Sequence, residues 1–239
     1  MKINWNYIKG FALLSLIVFL YGFTQQRNQA RKFDQLQVVF VKDSEKFISA
    51  KEIEKIVLQN EKSIEKIPKD SLDLKVLEKH IDEHPLVKNA EVYLTVNGDV
   101  IVEVQQKKPL ARVYANASFY IDEDANKMPL SKNHTARVPM VKYSGQQDLG
   151  YVRGLLKEIN QDSFLKHQVV SIEVDKKKEI RFYVRGYDFE TILGDSTALA
   201  EKLRKFKAFY KTAFIDKKLE QYESIKLNYK QQVVATKKV

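Results

Sequence analysis

The sequence contains no cysteine, which excludes disulfide bonds, thiolate nucleophiles and cysteine-ligated metal or iron–sulfur sites. It has only 8 glycines and 5 prolines, so it is not a low-complexity or linker-like chain. It also lacks a glycine-rich phosphate loop, a G-x-S-x-G motif and a protein-kinase signature. These absences favour a folded protein that is not an enzyme, with no cofactor and no small-molecule substrate.

Dense blocks of one charge are also missing. The 41 basic and 31 acidic residues are interleaved along nearly the whole chain, so the net charge of +10 is spread out. This distribution favours a solvated basic surface, which could lie near anionic lipid headgroups, over a nucleic-acid-binding face. We therefore expect no nucleic-acid partner.

The longest apolar segment lies near the N-terminus, where residues 11–23 carry no charge. Residues 7–23 would cover about 25 Å as a helix, interrupted only by Lys9. No small residues suited to signal-peptide cleavage follow Phe23. We predict a cytoplasmic tail over 1–7 and an uncleaved transmembrane helix over 8–24, anchored by Phe11, Leu16 and Phe23. A cleavable signal peptide and a buried helix are the alternatives, and the flanking charges do not decide the orientation.

Residues 33–108 predict a module with the order β-α-α-β-β. After a short strand over 36–41, Ser49 and Glu52 form a capping box, and a second helix begins at Asp73 and ends before Pro85. Apolar residues then alternate with polar ones on both sides of the turn dipeptide at 97–98, which predicts a β-hairpin. We expect two amphipathic helices on one face of a three-stranded sheet, joined by a connection over 62–71.

Two short runs carry a family resemblance. The hairpin is entered through HPLVKNAEV at 84–92 and left through KPLA at 108–111. In this order the module resembles a POTRA domain, in particular that of the bacterial division protein family FtsQ, also called DivIB. Leu86 replaces the aromatic residue that the family usually carries.

Residues 109–239 predict a β-rich domain with flanking helices, which makes the fold class α+β. Strands are expected near 112–114, 119–122, 138–141, 169–174, 180–184 and 189–194, and helices over 148–161 and through Leu199 to Tyr210. The resemblance extends here through the run Phe-Tyr-Ile-Asp at 119–122, where the family reads Tyr-x-x-Asp, and a Leu-Gly pair at 193–194. Asn126 stands where the family has a glycine, and we expect it to adopt a positive φ.

The last apolar alternation consists of Ile225, Leu227 and Tyr229. In the FtsQ family the final strand exposes an edge that accepts a strand of FtsB, so the resemblance implies an edge that binds FtsB and its partner FtsL. Asn228 stands where the family often has Arg. The alternative is that Tyr229 is a core residue and 231–239 a frayed tail. The residues assigned to this edge are Leu227, Asn228, Tyr229, Lys230, Gln231, Gln232, Val233 and Val234, with Lys178 in a hairpin turn at 176–179 as a further contact.

Two motifs resemble metal sites. Residues 80–84 spell H-x-x-E-H, the pattern of inverted zinc peptidases, but Pro85 pushes His84 out of helical geometry. Residues 122–126 resemble the start of a calcium loop, but Lys127 and Asn133 occupy the positions that need Gly and Glu. We expect no metal site, and a solvated turn at 122–126.

The resemblance therefore implies a divisome scaffold that links early and late division proteins at the septum. It would be a single-pass protein of the inner membrane with a cytoplasmic N-terminus and a periplasmic body. A POTRA component of an envelope protein-export system and a membrane-anchored zinc hydrolase are the alternatives.

Overall fold

The computed structural model describes residues 5–29, 35–41, 46–58, 72–114, 117–144 and 148–238. The predicted connection over 62–71 lies outside these residues. The chain divides into two compact units. The first consists of Met1–Ser44 and Ile48–Gln106, and the second of Glu45–Phe47 and Lys107–Val239.

The N-terminal segment forms helix α1, Trp5–Gln29. Its side chains are described over 9–24, and the predicted anchor residues Phe11, Leu16 and Phe23 are 72%, 53% and 53% exposed. Within the described residues, no helix combines the length and the apolar character needed to cross a membrane.

The rest of the first unit has the predicted β-α-α-β-β order. Its elements are β1 (Leu36–Phe40), α2 (Ala50–Leu58), α3 (Leu74–Asp82), β2 (Val87–Leu94) and β3 (Val100–Gln106). The sheet order is β1-β3-β2, with β1 parallel and β2 antiparallel to the central strand. Buried apolar residues on both helices form the core with the sheet: Ile53, Val57, Leu77 and Ile81.

Both predicted helix starts are confirmed. The Ser49 backbone N–H donates to Glu52 Oε2 at 2.8 Å, and the Glu52 N–H donates back to Ser49 Oγ at 3.3 Å. At α3, Asp73 Oδ1 accepts from the N–H groups of Lys75 and Val76. These side chains satisfy donors that the first helical turn leaves unpaired, so they fix where each helix begins.

The predicted hairpin turn is confirmed between β2 and β3. Gly98 has a φ of +104°, and the Thr95 N–H donates to the Asp99 oxygen at 2.9 Å. Only glycine adopts this φ without strain, which explains its position after Asn97.

The outer edge of β2 is covered by two carboxylates from α3. The Ala90 N–H donates to Asp82 Oδ1 at 2.6 Å, and the Val92 N–H donates to Glu78 Oε1 at 2.9 Å. Glu78 and Asp82 are four residues apart on a helix, and Ala90 and Val92 are two residues apart on a strand. Both separations are about 6 Å, so the two carboxylates reach both N–H groups. An incoming strand would have to displace both carboxylates.

Replacing both acids, Glu78→Ala with Asp82→Ala, is expected to destabilise the first unit by about 2–4 kcal/mol, because two charge-assisted hydrogen bonds are lost. It should also increase self-association through the uncovered edge. Urea unfolding and sedimentation measure the two effects. The double variant Lys75→Ala with Lys79→Ala is the control, since it has the same spacing on α3 at exposed positions. Equal stability of the two double variants would contradict the prediction.

The second unit contains nine strands and three α-helices within the described residues. They are β4 (Pro109–Tyr114), β5 (Phe119–Asp122), β6 (Lys127–Met128), β7 (Met140–Tyr143), α4 (Leu149–Gln161), α5 (Ser163–Gln168), β8 (Val169–Val174), β9 (Ile180–Val184), β10 (Glu190–Gly194), α6 (Leu199–Ile215), β11 (Tyr222–Lys226) and β12 (Val234–Lys237), with a 3-10 turn at Leu219–Gln221. The sheet order is β12-β11-β10-β9-β8-β7-β4-β5-β6.

Helices α4 and α6 bury apolar stripes in the core of this unit. The stripe predicted on α4 is buried, and on α6 Phe206 is fully buried with its ring edge-on to Phe182 at 5.0 Å. Helix α5 and strand β6 were not predicted. Each is short, and neither offers enough residues for a periodic pattern.

The turn between β5 and β6 corrects one expectation. Ala125, not Asn126, has the positive φ, at +63°. Buried Asp122 explains the shift, because its Oδ1 accepts from the N–H groups of both Asp124 and Asn126 and fixes the turn around Ala125.

Phe47 belongs to the second unit, although Ile48 belongs to the first. Its ring is 2% exposed and lies against Tyr120 and His134, with centroid distances of 6.3 and 5.2 Å. Its carbonyl oxygen accepts from Ser131 Oγ and Asn133 Nδ2. The order of the sequence alone did not indicate this assignment.

Candidate strand-addition edge

Strand β12 is the outer strand of the nine-stranded sheet. It pairs antiparallel with β11, with Lys226 opposite Val234, Ile225 opposite Ala235 and Tyr222 opposite Lys237. Strand β11 also pairs with β10, so its two edges are both occupied. Among the described strands, β12 has β11 as its only neighbour.

The direction of the backbone groups on β12 follows from one hydrogen bond. The Lys238 N–H donates to the Gln221 oxygen at 2.8 Å, toward β11. Because N–H and C=O groups alternate in direction along a strand, those of Thr236 also face β11. The groups of Ala235 and Lys237 therefore point away from the sheet.

The loop before β12 is held from both sides. The Lys205 ammonium of α6 donates to the backbone oxygens of Tyr229 and Lys230, each at 2.9 Å. On the sheet side, the Leu227 N–H donates to the Ile192 oxygen at 2.9 Å. A Cβ at Gly194, whose φ is +80°, would lie only 3.3 Å from the Asn228 Cβ, so a glycine is required there.

The start of α6, which positions Lys205, is held by an ion pair between the buried Lys202 side chain and the exposed Asp195 carboxylate. Lys202 is 8% exposed, and its ammonium donates to Asp195 Oδ1 at 2.7 Å and to the Asp195 backbone oxygen at 3.1 Å. The hydrogen bonds from Lys202 and Thr197 hold the pKa of Asp195 well below its usual value. This contact anchors the helix where Ala198, at a φ of +47°, offers no capping side chain.

The residues predicted for the edge fall into three environments. Leu227 is buried in the core, while Asn228, Tyr229, Lys230, Gln231 and Gln232 form an exposed loop, in which Tyr229 is 43% exposed. Val233 and Val234 are half-buried, and only Val234 lies in β12. The final strand expected at Ile225 to Tyr229 ends earlier, because β11 stops at Lys226, and β12 covers its outer side. Partner binding at the residues assigned to the edge, Leu227 to Val234, stays a prediction.

Lys178 lies in the predicted turn between β8 and β9, at the same end of the sheet as the 227–233 loop. It has a φ of +64°. Its ammonium lies 3.4 Å from Asp148 Oδ2 and 5.2 Å from the Tyr151 ring centroid. Its side chain thus packs against the start of α4.

Comparison with known proteins agrees with this architecture. The family described as FtsQ/DivIB, C-terminal related, matches residues 108–236, and a POTRA-like domain matches residues 35–105. The chain belongs to the FtsQ/DivIB family. Its members are bacterial cell division proteins, and the fold is a POTRA-like domain followed by a β-rich domain.

One solved structure similar to this FtsQ/DivIB-family chain is the major extracytoplasmic domain of the trans isomer of the bacterial cell division protein DivIB from Geobacillus stearothermophilus. It has 16% identity and a TM-score of 0.33, and the match covers 46% of this chain and 95% of that chain. A comparison with curated proteins gives no match.

His80 and His84, the two histidines of the H-x-x-E-H run in this FtsQ/DivIB-family chain, do not share a helix face. Helix α3 ends at Asp82, and His84 lies in the following turn, where its Nδ1 accepts from the Leu86 N–H at 3.3 Å. Burial lowers the pKa of His84, against the opposing effect of Glu52. Across the described ranges, no group of three or more metal-ligating side chains is close enough to hold an ion.

Sequence reasoning on this FtsQ/DivIB-family chain missed β12 and the role of Lys205. The run VVAT at 233–236 is rich in β-branched residues, which is the local signal that could have identified the strand. Lys205 had no such signal, because its backbone acceptors lie 24 and 25 residues away.

Proposed function

We propose that this protein is a non-enzymatic division scaffold that captures FtsB, together with FtsL, by strand addition at β12. The observation that carries the proposal is the position of β12 as an outer strand with the backbone groups of Ala235 and Lys237 directed outward. The choice of FtsB and FtsL as partners is part of the proposal and follows from the resemblance to FtsQ. The contrast with β2, whose edge donors are satisfied by Asp82 and Glu78, supports β12 as the receptive edge.

The backbone of β12 can supply only part of the affinity. Two outward residues offer about four main-chain hydrogen bonds, each worth about 0.5–1.5 kcal/mol net. Micromolar binding requires about 8 kcal/mol. Side-chain contacts supply the remainder, and the exposed Tyr229 ring with half-buried Val233 in the preceding loop provides apolar surface for them.

We propose that α1 anchors this scaffold in the inner membrane, with the N-terminus cytoplasmic and both folded units on the outer side, at the division septum. The exposed apolar side chains of Phe11, Leu16 and Phe23 support this placement, because lipid removes such surface from water. Release of the protein from membranes by alkaline carbonate would contradict it.

The edge is tested with Ala235→Pro in the full chain, with Ala235→Val as the matched control. Proline removes the outward N–H and is tolerated on an edge strand, whereas valine keeps the donor. Titration with the extracytoplasmic part of FtsB from the same organism should give binding at least 10-fold weaker for Ala235→Pro and within about 2-fold for Ala235→Val.

The same variants are expressed in cells depleted of the wild-type protein. Filamentous cells with Ala235→Pro and normal division with Ala235→Val are the expected outcome. If a folded Ala235→Pro protein binds FtsB as tightly as the wild type, strand addition at β12 is wrong.

A further inference from the structure

A groove runs between α5 and α6 on the helical side of the second unit. It has a volume of about 590 Å³, and Phe164 and Gln168 of α5 face Ala208, Tyr210 and Phe214 of α6 across it. We call it the α5–α6 groove. The groove is separate from β12, because a different side of α6 faces that end of the sheet. On that side, Lys205 binds the Tyr229 backbone oxygen and the Phe209 ring contacts the Tyr222 ring.

The floor of the α5–α6 groove is a ladder of aromatic rings. The Phe164 ring is edge-on to Tyr210 at 5.2 Å, and Tyr210 stacks on Phe214 at 6.2 Å with an interplanar angle of 8°. Phe214 is 59% exposed, and the adjacent Ile215 is 68% exposed. Exposed apolar surface of this kind, rimmed by polar residues, is typical of a protein-binding site.

The rim of the groove is basic. Arg204 and Lys211 lie two helical turns apart, about 10.5 Å along the axis of α6. Neither has a carboxylate within 4.0 Å in the described part of the chain. Lys207 between them is already paired with Asp162. Burial of the Asp162 carboxylate raises its pKa, but the hydrogen bond from Lys207 opposes this effect, and the pKa of Asp162 is lowered.

The basic surface continues past α5 into a second cleft of about 940 Å³, which shares Gln168 with the groove. Arg137, Lys166 and Arg185 line it, and they too lack a carboxylate partner among the described residues. The Arg185 Nε donates to the His167 oxygen at 3.3 Å, which holds this guanidinium at the cleft. Two cations without a carboxylate partner thus line the apolar groove, and three more line the neighbouring cleft.

We propose that the α5–α6 groove binds an acidic amphipathic helix of a partner protein. Its apolar side chains would cover the aromatic ladder, and its carboxylates would pair with Arg204 and Lys211. A groove between two helices matches the shape of a third helix, and the unpaired cations select against neutral and basic sequences. A concave site favours this occupant over a lipid surface. The proposal stands independently of strand addition at β12.

The probe is a phage library of random 16-residue peptides, selected on the full chain in nanodiscs of neutral lipid. Selected peptides should carry Asp or Glu beside Leu or Phe at helical spacing. Their binding should weaken at least 10-fold with Ala208→Glu, which places a carboxylate in the groove. Ala200→Glu is the matched control at an exposed position of α6 outside the groove, and it should change binding less than 2-fold.

Two further measurements keep the test decisive. The double variant Arg204→Glu with Lys211→Glu changes only surface charges, so it tests the groove even if Ala208→Glu unfolds, and it should abolish peptide binding. Ala235→Pro, which alters β12, should leave peptide binding unchanged. Selection of neutral or basic peptides would overturn the proposal, as would equal binding to the groove variants. A third outcome would also overturn it. If no acidic peptide is selected, and vesicles of 30% phosphatidylglycerol in phosphatidylcholine bind the wild type but not the groove variants, the groove binds an anionic lipid surface instead.

Discussion

Replacing Phe206 with alanine is expected to destabilise the second unit by about 3–5 kcal/mol, a large part of the stability of a typical domain. The ring is fully buried between α6 and the sheet and lies edge-on to Phe182 at 5.0 Å. Its removal therefore loses the burial of the ring, leaves a cavity and breaks the aromatic pair. Amide hydrogen exchange over α6 and β9 measures this loss of stability, because the protection of backbone amides is read for each unit separately.

Phe214→Ala is the matched control for Phe206→Ala, since it makes the same change on the same helix at a ring that is 59% exposed. It should cost at most about 1 kcal/mol, from the stacking on Tyr210. Similar loss of protection in the two variants would mean that α6 does not bury Phe206 as described.

Replacing Phe47 with alanine is expected to destabilise the second unit, by about 3–5 kcal/mol, and to affect the first unit much less. The ring is 2% exposed, and both aromatic rings that it contacts, Tyr120 and His134, belong to the second unit. The backbone carbonyl of residue 47, which accepts from Ser131 and Asn133, is kept in the variant, so the expected loss comes from the ring. Exchange should accelerate over β5, β6 and residues 131–136.

Lys46→Ala is the control for Phe47→Ala, because Lys46 is the exposed neighbour in the same segment. It should leave exchange unchanged in both units. If Phe47→Ala accelerates exchange over α2 and α3 and leaves β5 and β6 unaffected, the assignment of Phe47 to the second unit is wrong.

The elements predicted correctly are those with local signals. Ser49 with Glu52, Asp73 and Gly98 each act within four residues of their own position, so a short window of sequence contains both partners. The alternation in β2 and β3 and the stripe on α4 are periodic over enough residues to be read directly.

The features that were missed depend on distant contacts. Phe47 packs against Tyr120 and His134, more than 70 residues along the chain, and no sequence pattern links them. Strand β12 has four residues, too few for a clear alternation, and it forms because β11 offers a free edge. Ala125 is the exception, because its positive φ follows from a local contact: the carboxylate of Asp122, three residues earlier, fixes the turn by accepting from the Asn126 N–H.

The two ends of the nine-stranded sheet differ in a way that limits assembly. Strand β12 at one end has four residues, while β6 at the other has two, Lys127 and Met128. Repeated head-to-tail pairing between copies would require β12 of one copy to add to β6 of the next, and such an open contact would generate a filament. A two-residue strand provides too few hydrogen bonds for that contact, so the proposed strand addition at β12 would end with one partner chain and give a complex of fixed stoichiometry rather than a polymer.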